Sequence, residues 1–504
     1  MLILAFPDFE WWFTAWFALV PLMWAVEREK ESVVRSFVVG WLFGTIFFFG
    51  TCWWLTFAPI NYAGFPPWLA YSGMAFIAAA VGLFPALFAG ILAVLLRRFD
   101  SWAFMAAPFV WVFTEFLRYW LTGNNWNAIG YSQATTTLIL HAAAFGGVMM
   151  VGFFPILNAA IFVLWATKTS RYYILVVAVF FFGFFSDVNV VSRFFALGSD
   201  YDYNISFSES AIRGTVIAIQ PNVPMSGLDY TKWGQLRQRQ IDSAEAAIKK
   251  KNEQRTTSNE RPTLVILPES PMNFMYEDDR EFQKFINDFA RRNNVSVLFN
   301  SAEPDATNGK YFNSAVLVSP EGREAGQYDK IFLLPFGEAV PPPFDAIMPG
   351  FVGNFSYGRE YDILPVGDAK AGVMICFESH FGQLSRRFVA DGADVLIEMT
   401  NDGYLGPTPV LRQHLANAVF RAVETNRPVL RVTNVGVTAY INEKGAVLDA
   451  APTYQEDTRV WSVSKSDGQK TFYVKYGDWF AWLCSVVTLG LLALCVVKKK
   501  TYEA

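Results

Sequence analysis

Two hydrophobic patterns divide the chain. Long continuous apolar runs occupy residues 1–186 and 478–497, whereas 187–477 mixes short apolar segments with charged ones. A helix needs roughly 17–25 apolar residues to cross a bilayer. On that basis the runs 11–26, 36–57, 68–96, 102–121, 138–166, 172–191 and 478–497 are predicted spans. Basic residues cluster at alternate ends: Arg28, Lys30 and Arg35, then Arg97 and Arg98, then Lys168 and Arg171, then Lys498, Lys499 and Lys500. The intervening loops 58–67 and 122–137 contain neither Lys nor Arg. Cytoplasmic loops carry the Lys and Arg excess, so the region between 191 and 478 is expected on the far side of the membrane. Seven spans with a cytoplasmic C-terminus leave the N-terminus outside, and the apolar stretch 1–7 reads as the tail of an eighth span, either missing in part or continuing upstream. No basic leader precedes a short apolar core of the signal-peptide kind.

Between the spans the periodicity changes. Runs rich in Val, Ile and Leu predict strands at 213–219, 263–268, 295–300, 312–318, 371–377, 394–400, 428–434, 437–442 and 459–463. Longer amphipathic stretches predict helices at 231–250, 279–293, 380–391 and 409–426. Short continuous apolar strands are buried on both faces, and their mixture with helices indicates layered α/β architecture. The polar stretch 251–261 is expected to be a loop, and 335–361, rich in Pro and Gly, is too long for a plain connection and is expected to act as a lid or binding loop. The fold class is therefore a multi-span α-helical membrane bundle (1–191) joined to an extracytoplasmic α/β domain (192–475), followed by a last transmembrane helix and basic tail (476–504).

Composition sharpens this picture. Hydrophobic residues make up 53% of the 504, with 48 Phe and 17 Trp, and the net charge is only −4. No basic block is large enough to bind nucleic acid. With 3 His and 4 Cys in all, no metal site and no cofactor are expected.

Three of the cysteines, Cys52, Cys484 and Cys495, fall in predicted spans, which leaves Cys376 alone in the α/β segment. It ends the apolar strand 372–375 and is followed by Phe377, Glu378 and Ser379. Strand C-termini are where open α/β layers present reactive side chains. A thiol requires a base and an oxyanion partner. His380, four residues on, is one candidate base, and His414 is read as structural. A better set comes from two other segments. The strand 264–267 ends at Pro268 and Glu269, and 328–338 sets Lys330 and Glu338 around an apolar stretch. A buried glutamate has a raised pKa and can accept the thiol proton, and a lysine beside it stays charged. Glu115 and Arg118, at i,i+3 near the outer end of a span, are functional candidates or a helix-end ion pair.

Pro268-Glu269-Ser270, Tyr328-Asp329-Lys330, Leu334-Pro335-Phe336-Gly337-Glu338 and Ile375-Cys376-Phe377-Glu378 resemble the Glu–Lys–Cys motifs of the nitrilase superfamily. Together with the spans, and with Thr114–Arg118, Gly130–Gln133, Thr400–Asp402, Arg421–Glu424, Thr433-Asn434 and Gly436–Thr438, they resemble its membrane-embedded branch, the apolipoprotein N-acyltransferases. The ordered set runs through nearly the whole chain. The resemblance implies an α-β-β-α sandwich facing the periplasm of a bacterial inner membrane. It implies Cys376 as nucleophile, Glu269 as general base and Lys330 as oxyanion cation, with Glu338 and Glu378 in support. The implied reaction carries an acyl chain from a phospholipid, typically phosphatidylethanolamine, through a Cys thioester to the α-amine of a diacylglyceryl-cysteine on an apolipoprotein. Phe344, Phe351 and Phe355 are candidate lid residues that dip into the membrane interface. Tyr230 or Trp233 is expected to replace the family's aromatic after Gln220-Pro221-Asn222, and Tyr404 lies where the family pattern Asn-Asp-Ala-Trp-Phe-Gly reads Asn401-Asp402-Gly403-Tyr404-Leu405-Gly406. Phe377 stands where the family usually has tyrosine.

Two other functions fit parts of this pattern. A membrane-anchored amidase of a small carbon–nitrogen substrate shares the three residues, but an anchor needs one helix, not a bundle. A binding or transport protein that had lost catalysis has no reason to keep Glu269, Lys330 and Cys376, and charges deep in the spans of the kind that mark ion paths are absent.

Overall fold

The computed structural model describes residues 1–167, 212–253, 262–269, 274–340, 355–464 and 468–500. The chain divides into two compact units, Met1–Tyr203 with Thr408–Ala416 and Lys475–Ala504, and Asn204–Pro407 with Asn417–Val474.

Helices α1 (Ala15–Ala18), α2 (Val20–Glu29), α3 (Val33–Cys52), α4 (Phe57–Asn61), α5 (Pro67–Val81), α6 (Leu83–Phe99), α7 (Ala107–Thr122), α8 (Thr137–Leu140) and α9 (Ala143–Thr167) build the first unit. Among the described residues, four stretches are long and apolar enough to cross a membrane: Val33–Asn61, Pro67–Thr122, Ala143–Thr167 and Trp479–Val496. The expected span 11–26 is not one regular helix. It forms a 3-10 turn (Trp12–Thr14), α1 and α2, with Pro21 in the first turn of α2, where a missing N–H is tolerated but the preceding helix cannot run through. The expected span 68–96 is two helices, α5 and α6, meeting at Gly82. Residues 2–5 form a short 3-10 turn with Leu2 and Ala5 buried, and the predicted span 172–191 lies outside the described residues.

Small residues let α3 and α6 approach closely. A Cβ on Gly40 of α3 would lie 2.4 Å from the Pro85 carbonyl oxygen and 2.6 Å from Ala89 Cβ on α6, and one on Gly44 would lie 2.8 Å from the Pro85 ring. This Gly-x-x-x-Gly spacing lets two backbones touch where lipid supplies no hydrophobic drive. Glu115 and Arg118 are both buried on α7. Glu115 accepts the Ile129 N–H (3.0 Å), Arg118 donates to the Trp126 carbonyl (3.1 Å), and its guanidinium lies 4.8 Å over Phe48.

The second unit contains strands β1 (Ile212–Gln220), β2 (Thr263–Ile266), β3 (Ser296–Asp305), β4 (Lys310–Val318), β5 (Glu324–Asp329), β6 (Phe355–Ser356), β7 (Ile363–Val366), β8 (Ala369–Ile375), β9 (Val395–Thr400), β10 (Val429–Thr433), β11 (Ala439–Ile441), β12 (Val447–Leu448) and β13 (Asp457–Ser464). They form two sheets, ordered β13-β1-β2-β3-β4-β5, with β6 beside β4, and β12-β11-β10-β9-β8-β7. The central strands β1-β2-β3 and β8-β9-β10 run parallel, so their C-terminal ends emerge together. Helices α10 (Tyr230–Glu253) and α11 (Arg280–Asn293) cover the first sheet. Alternate residues Ile217, Ile219, Val265, Val297 and Phe299 pack there against Ile241, Ala244, Phe282, Ile286 and Phe289. Strand period 2 meets helix period 3.6 in this layer. Helix α12 (Gly382–Ala390) packs on β8, where a Cβ on Gly372 would come within 2.6 Å of Phe388. Helix α13 (Val410–Thr425) and the short α14 (Phe472–Tyr476) follow, and α15 (Trp479–Lys500) is the last helix of the first unit. The result is the α-β-β-α sandwich.

Candidate active site

The thiol stands on a sharp corner. β8 ends at Ile375, and Cys376 turns the chain with φ of 53° into a 3-10 turn, Cys376–His380. A left-handed φ is costly for a residue with a Cβ and persists only where the surroundings enforce it. Two side chains do so. Glu378 accepts the Ile375 N–H at 2.9 Å, and Arg421 of α13 donates to the carbonyls of Ser379 (3.2 Å) and His380 (2.9 Å). Cys376 remains partly exposed at the corner while the residues below it are buried.

Glu269, just past the end of β2, faces Cys376 from the opposite sheet, close enough that thiol and carboxylate act on one another's pKa. Lys330 follows β5 and is buried, its ammonium 2.8 Å from Glu338 and 3.9 Å from Glu269. Asn313, from β4, bridges the two carboxylates, donating to Glu269 at 3.1 Å and Glu338 at 2.6 Å. The other Glu269 oxygen accepts the Asn401 N–H at 3.0 Å, and the other Glu338 oxygen accepts the Leu334 N–H at 2.7 Å. Glu378 faces inward: it accepts the Tyr328 hydroxyl (2.8 Å) and the N–H groups of Ile331 (2.7 Å) and Phe332 (3.0 Å), besides Ile375. It therefore staples the lysine loop to the nucleophile corner.

Charge follows from this packing. Burial pushes Glu269 above the ordinary carboxylate range, Lys330 pulls it back and Glu338 raises it again. Burial also raises the Cys376 thiol well above its usual value, with Glu269 adding to the effect and Lys330 opposing it. Desolvation alone would lower the Lys330 pKa, but Glu338, Glu269 and Cys376 more than reverse that, so it stays an ammonium. Burial lifts Glu378 to about 7 against its backbone donors. The pair thus sets a thiol against a carboxyl of raised basicity, with a fixed cation nearby, which suits proton removal in concert with attack on a carbonyl.

Residues 1–161 match the family profile "Apolipoprotein N-acyltransferase N-terminal domain", and residues 234–472 match "Carbon-nitrogen hydrolase". Along its length the chain is similar to apolipoprotein N-acyltransferases. A relative from Geobacter metallireducens, named apolipoprotein N-acyltransferase, is 29% identical over 100% of this chain and 95% of its own length. Another of the same name, from Thermotoga maritima, is 29% identical over 96% of this chain and 90% of its own. Among solved structures, Nit3 of Saccharomyces cerevisiae, described as a member of branch 10 of the nitrilase superfamily, matches with a TM-score of 0.39 at 15% identity, covering 50% of this chain and 90% of that one.

The five carboxylate, lysine and cysteine positions that the family motifs single out thus converge in one cluster. His380 is buried with its ring stacked on Phe377 (5.6 Å, 17°), and His414 lies tilted against Trp126 (5.9 Å, 47°). Phe355 lies in β6 and donates its N–H to the Glu338 carbonyl (3.3 Å), so it borders the site. Tyr404 is 47% exposed in the turn that also carries Asn401 and Asp402. Tyr230 is exposed at the start of α10, whereas Trp233 packs its ring on Phe274 (5.8 Å) at the edge of the first-sheet core. Phe344 and Phe351 lie outside the described residues. No group of three or more His, Cys, Asp or Glu side chains is arranged to hold a metal ion among the described residues. Sequence reasoning missed Asn313. A single Asn inside the apolar run 311–318 is a signal, because a buried strand amide must find polar partners.

Proposed function

We propose that this chain transfers an acyl chain from a membrane phospholipid to the N-terminal amine of a diacylglyceryl-cysteine apolipoprotein, by a ping-pong reaction through a Cys376 thioester. In the first half, Glu269 takes the thiol proton as sulfur attacks the phospholipid ester carbonyl. The oxygen gains negative charge beside the Lys330 ammonium. Collapse expels the lysophospholipid alkoxide, which takes the proton from Glu269, and leaves acyl-Cys376. In the second half, the apolipoprotein amine attacks the thioester, Glu269 takes the amine proton, and the thiolate leaves and recovers it. Glu338 and Asn313 keep the lysine and base in register, and Glu378 fixes the corner on which the thiol stands.

The observation that carries this reading is Lys330 held between Glu269 and Glu338 beside the Cys376 corner, in a chain whose other unit is a multi-span bundle. Both substrates keep their acyl chains in lipid, so the chemistry belongs at a membrane surface. The basic residues at alternate span ends favour a bacterial inner-membrane location with the catalytic segment 192–475 on the periplasmic side. Phosphatidylethanolamine is the proposed donor, and the aromatic residues Phe344, Phe351, Phe355, Tyr404 and Tyr230 are proposed to guide the chains.

Purified protein in detergent, incubated with phosphatidylethanolamine, is expected to gain one acyl mass on the Cys376 peptide. The adduct is expected to vanish in Cys376→Ala. An adduct that survives this substitution rules the thioester out.

A further inference from the structure

Another buried cation lies close to the site and has no part in the steps above. Arg431, on β10, is fully buried and opposes Glu398 of β9 in parallel register. Its guanidinium forks to Glu398 and to Asp402, the latter at 2.8 Å. Glu398 is in turn the register partner of Met374 on β8, two residues before Cys376, so the three strands that carry the thiol, the carboxylate and the arginine are immediate neighbours. Asp402 opens the 3-10 turn Asp402–Leu405 and is itself buried. It is packed tightly enough that a Cβ on Gly436 would meet its carboxylate at 2.2 Å. The residue before it, Asn401, gives its backbone N–H to Glu269, and its side chain is held by Asn434 at 3.1 Å and caps Gly403 at 3.2 Å.

The arrangement therefore runs from Arg431 through Asp402 to the peptide that feeds Glu269. We propose that Arg431 is a positioning residue for the general base: it clamps Asp402 against Glu398, so that the Asn401 N–H stays aimed at the Glu269 carboxylate, and it balances the negative charge packed behind the thiol. This rests on Glu269 acting as base. The charged groups around the Cys376–Glu269 pair are Lys330 and Glu338 from the β5 side, Asp402 and Glu398 from β9 and its turn, Arg431 from β10 and Glu378 within the thiol's own turn. The Cys376 thiol is among the groups that hold the Arg431 pKa up, after Glu398 and Asp402, and Asp402 in turn raises the thiol. A guanidinium forks to two carboxylates at once, which an ammonium does not do with the same geometry.

The test reads the pH dependence of Cys376 alkylation by iodoacetamide, measured on its own peptide by mass spectrometry, in the full-length protein in detergent. Arg431→Met is expected to move the midpoint upward by roughly one pH unit, because the pair loses a nearby positive charge. Asp402→Asn is expected to move it downward. Arg431→Lys is expected to keep the midpoint but slow acyl transfer about tenfold or more, as the fork is lost. A purely structural arginine lowers rates in all three variants with an unmoved midpoint, and that result, or shifts of the same sign in Arg431→Met and Asp402→Asn, overturns the proposal. If Arg431→Met does not fold, the Asp402→Asn shift alone decides. Glu269→Gln separates the two readings. A midpoint that it leaves unmoved overturns Glu269 as base, and the proposal with it, whereas a midpoint moved by Glu269→Gln but by neither other variant overturns Arg431's role alone.

Discussion

Both units bury charge, and they use it differently. In the membrane unit, Glu115 and Arg118 sit on one helix and tie down a short stretch of loop backbone, at Ile129 and Trp126. In the α/β unit, Glu269, Lys330, Glu338, Glu378, Arg431 and Asp402 come from separate segments and converge around one thiol. The bundle gains its order from close backbone contact at Gly40 and Gly44, where shape decides. The sandwich gains its site from strand ends that emerge together, where charge decides. Changes of volume should therefore be felt most in the first unit, and isosteric changes of charge most in the second.

The largest effects should come from isosteric changes at the thiol and base. Glu269→Gln and Cys376→Ala are expected to lower acyl transfer by about 10³-fold or more while leaving thermal stability in detergent nearly unchanged. A loss of folding in step with activity would erase the distinction drawn between the units.

Glu378 comes next. Its folded pKa of about 7 lies above the ordinary 4.5, so the stability it contributes is fully present below pH 4.5 and is lost as pH rises through 7. Integrated over that interval the change is about 3 kcal/mol. Denaturant titrations from pH 4 to 8 should show the fall, and Glu378→Gln should flatten it.

In the bundle, Gly40→Ala should destabilise by about 1–3 kcal/mol because its Cβ meets the Pro85 carbonyl, while Gly73→Ala, with nothing within 4 Å, should be neutral. Equal melting temperatures for the two variants would refute the close helix contact. The smallest effect concerns Glu338, whose charge raises Glu269. Glu338→Gln should move the acidic limb of the acylation rate to lower pH, and a move to higher pH would contradict that.

Much of the α/β unit was legible because period-2 strands and period-3.6 helices are local signals, and the predicted strands at 213–219, 263–268 and 394–400 fall on β1, β2 and β9. β5, β6, β7 and β12 were missed. Two of them are two-residue ladders made by their partners, and β5 reads Glu324–Asp329, polar enough to pass for loop. The site's titratable members were visible as charges at the ends of apolar runs. Asn313 and Arg431 were not, because their roles come from cross-strand neighbours that are far away in sequence. In the bundle, hydropathy located apolar segments but not their breaks. Pro21 and Gly82 interrupt runs that hydropathy alone reads as continuous.

The measurement that bears most directly on the whole account follows one acyl chain through both half-reactions. Protein is loaded from a phospholipid labelled in its sn-1 chain, freed of donor, and mixed with a diacylated lipopeptide. Label should leave the Cys376 thioester and appear as an amide on the lipopeptide amine at matching rates. Label that discharges only to water would contradict acyl transfer and make the chain a hydrolase.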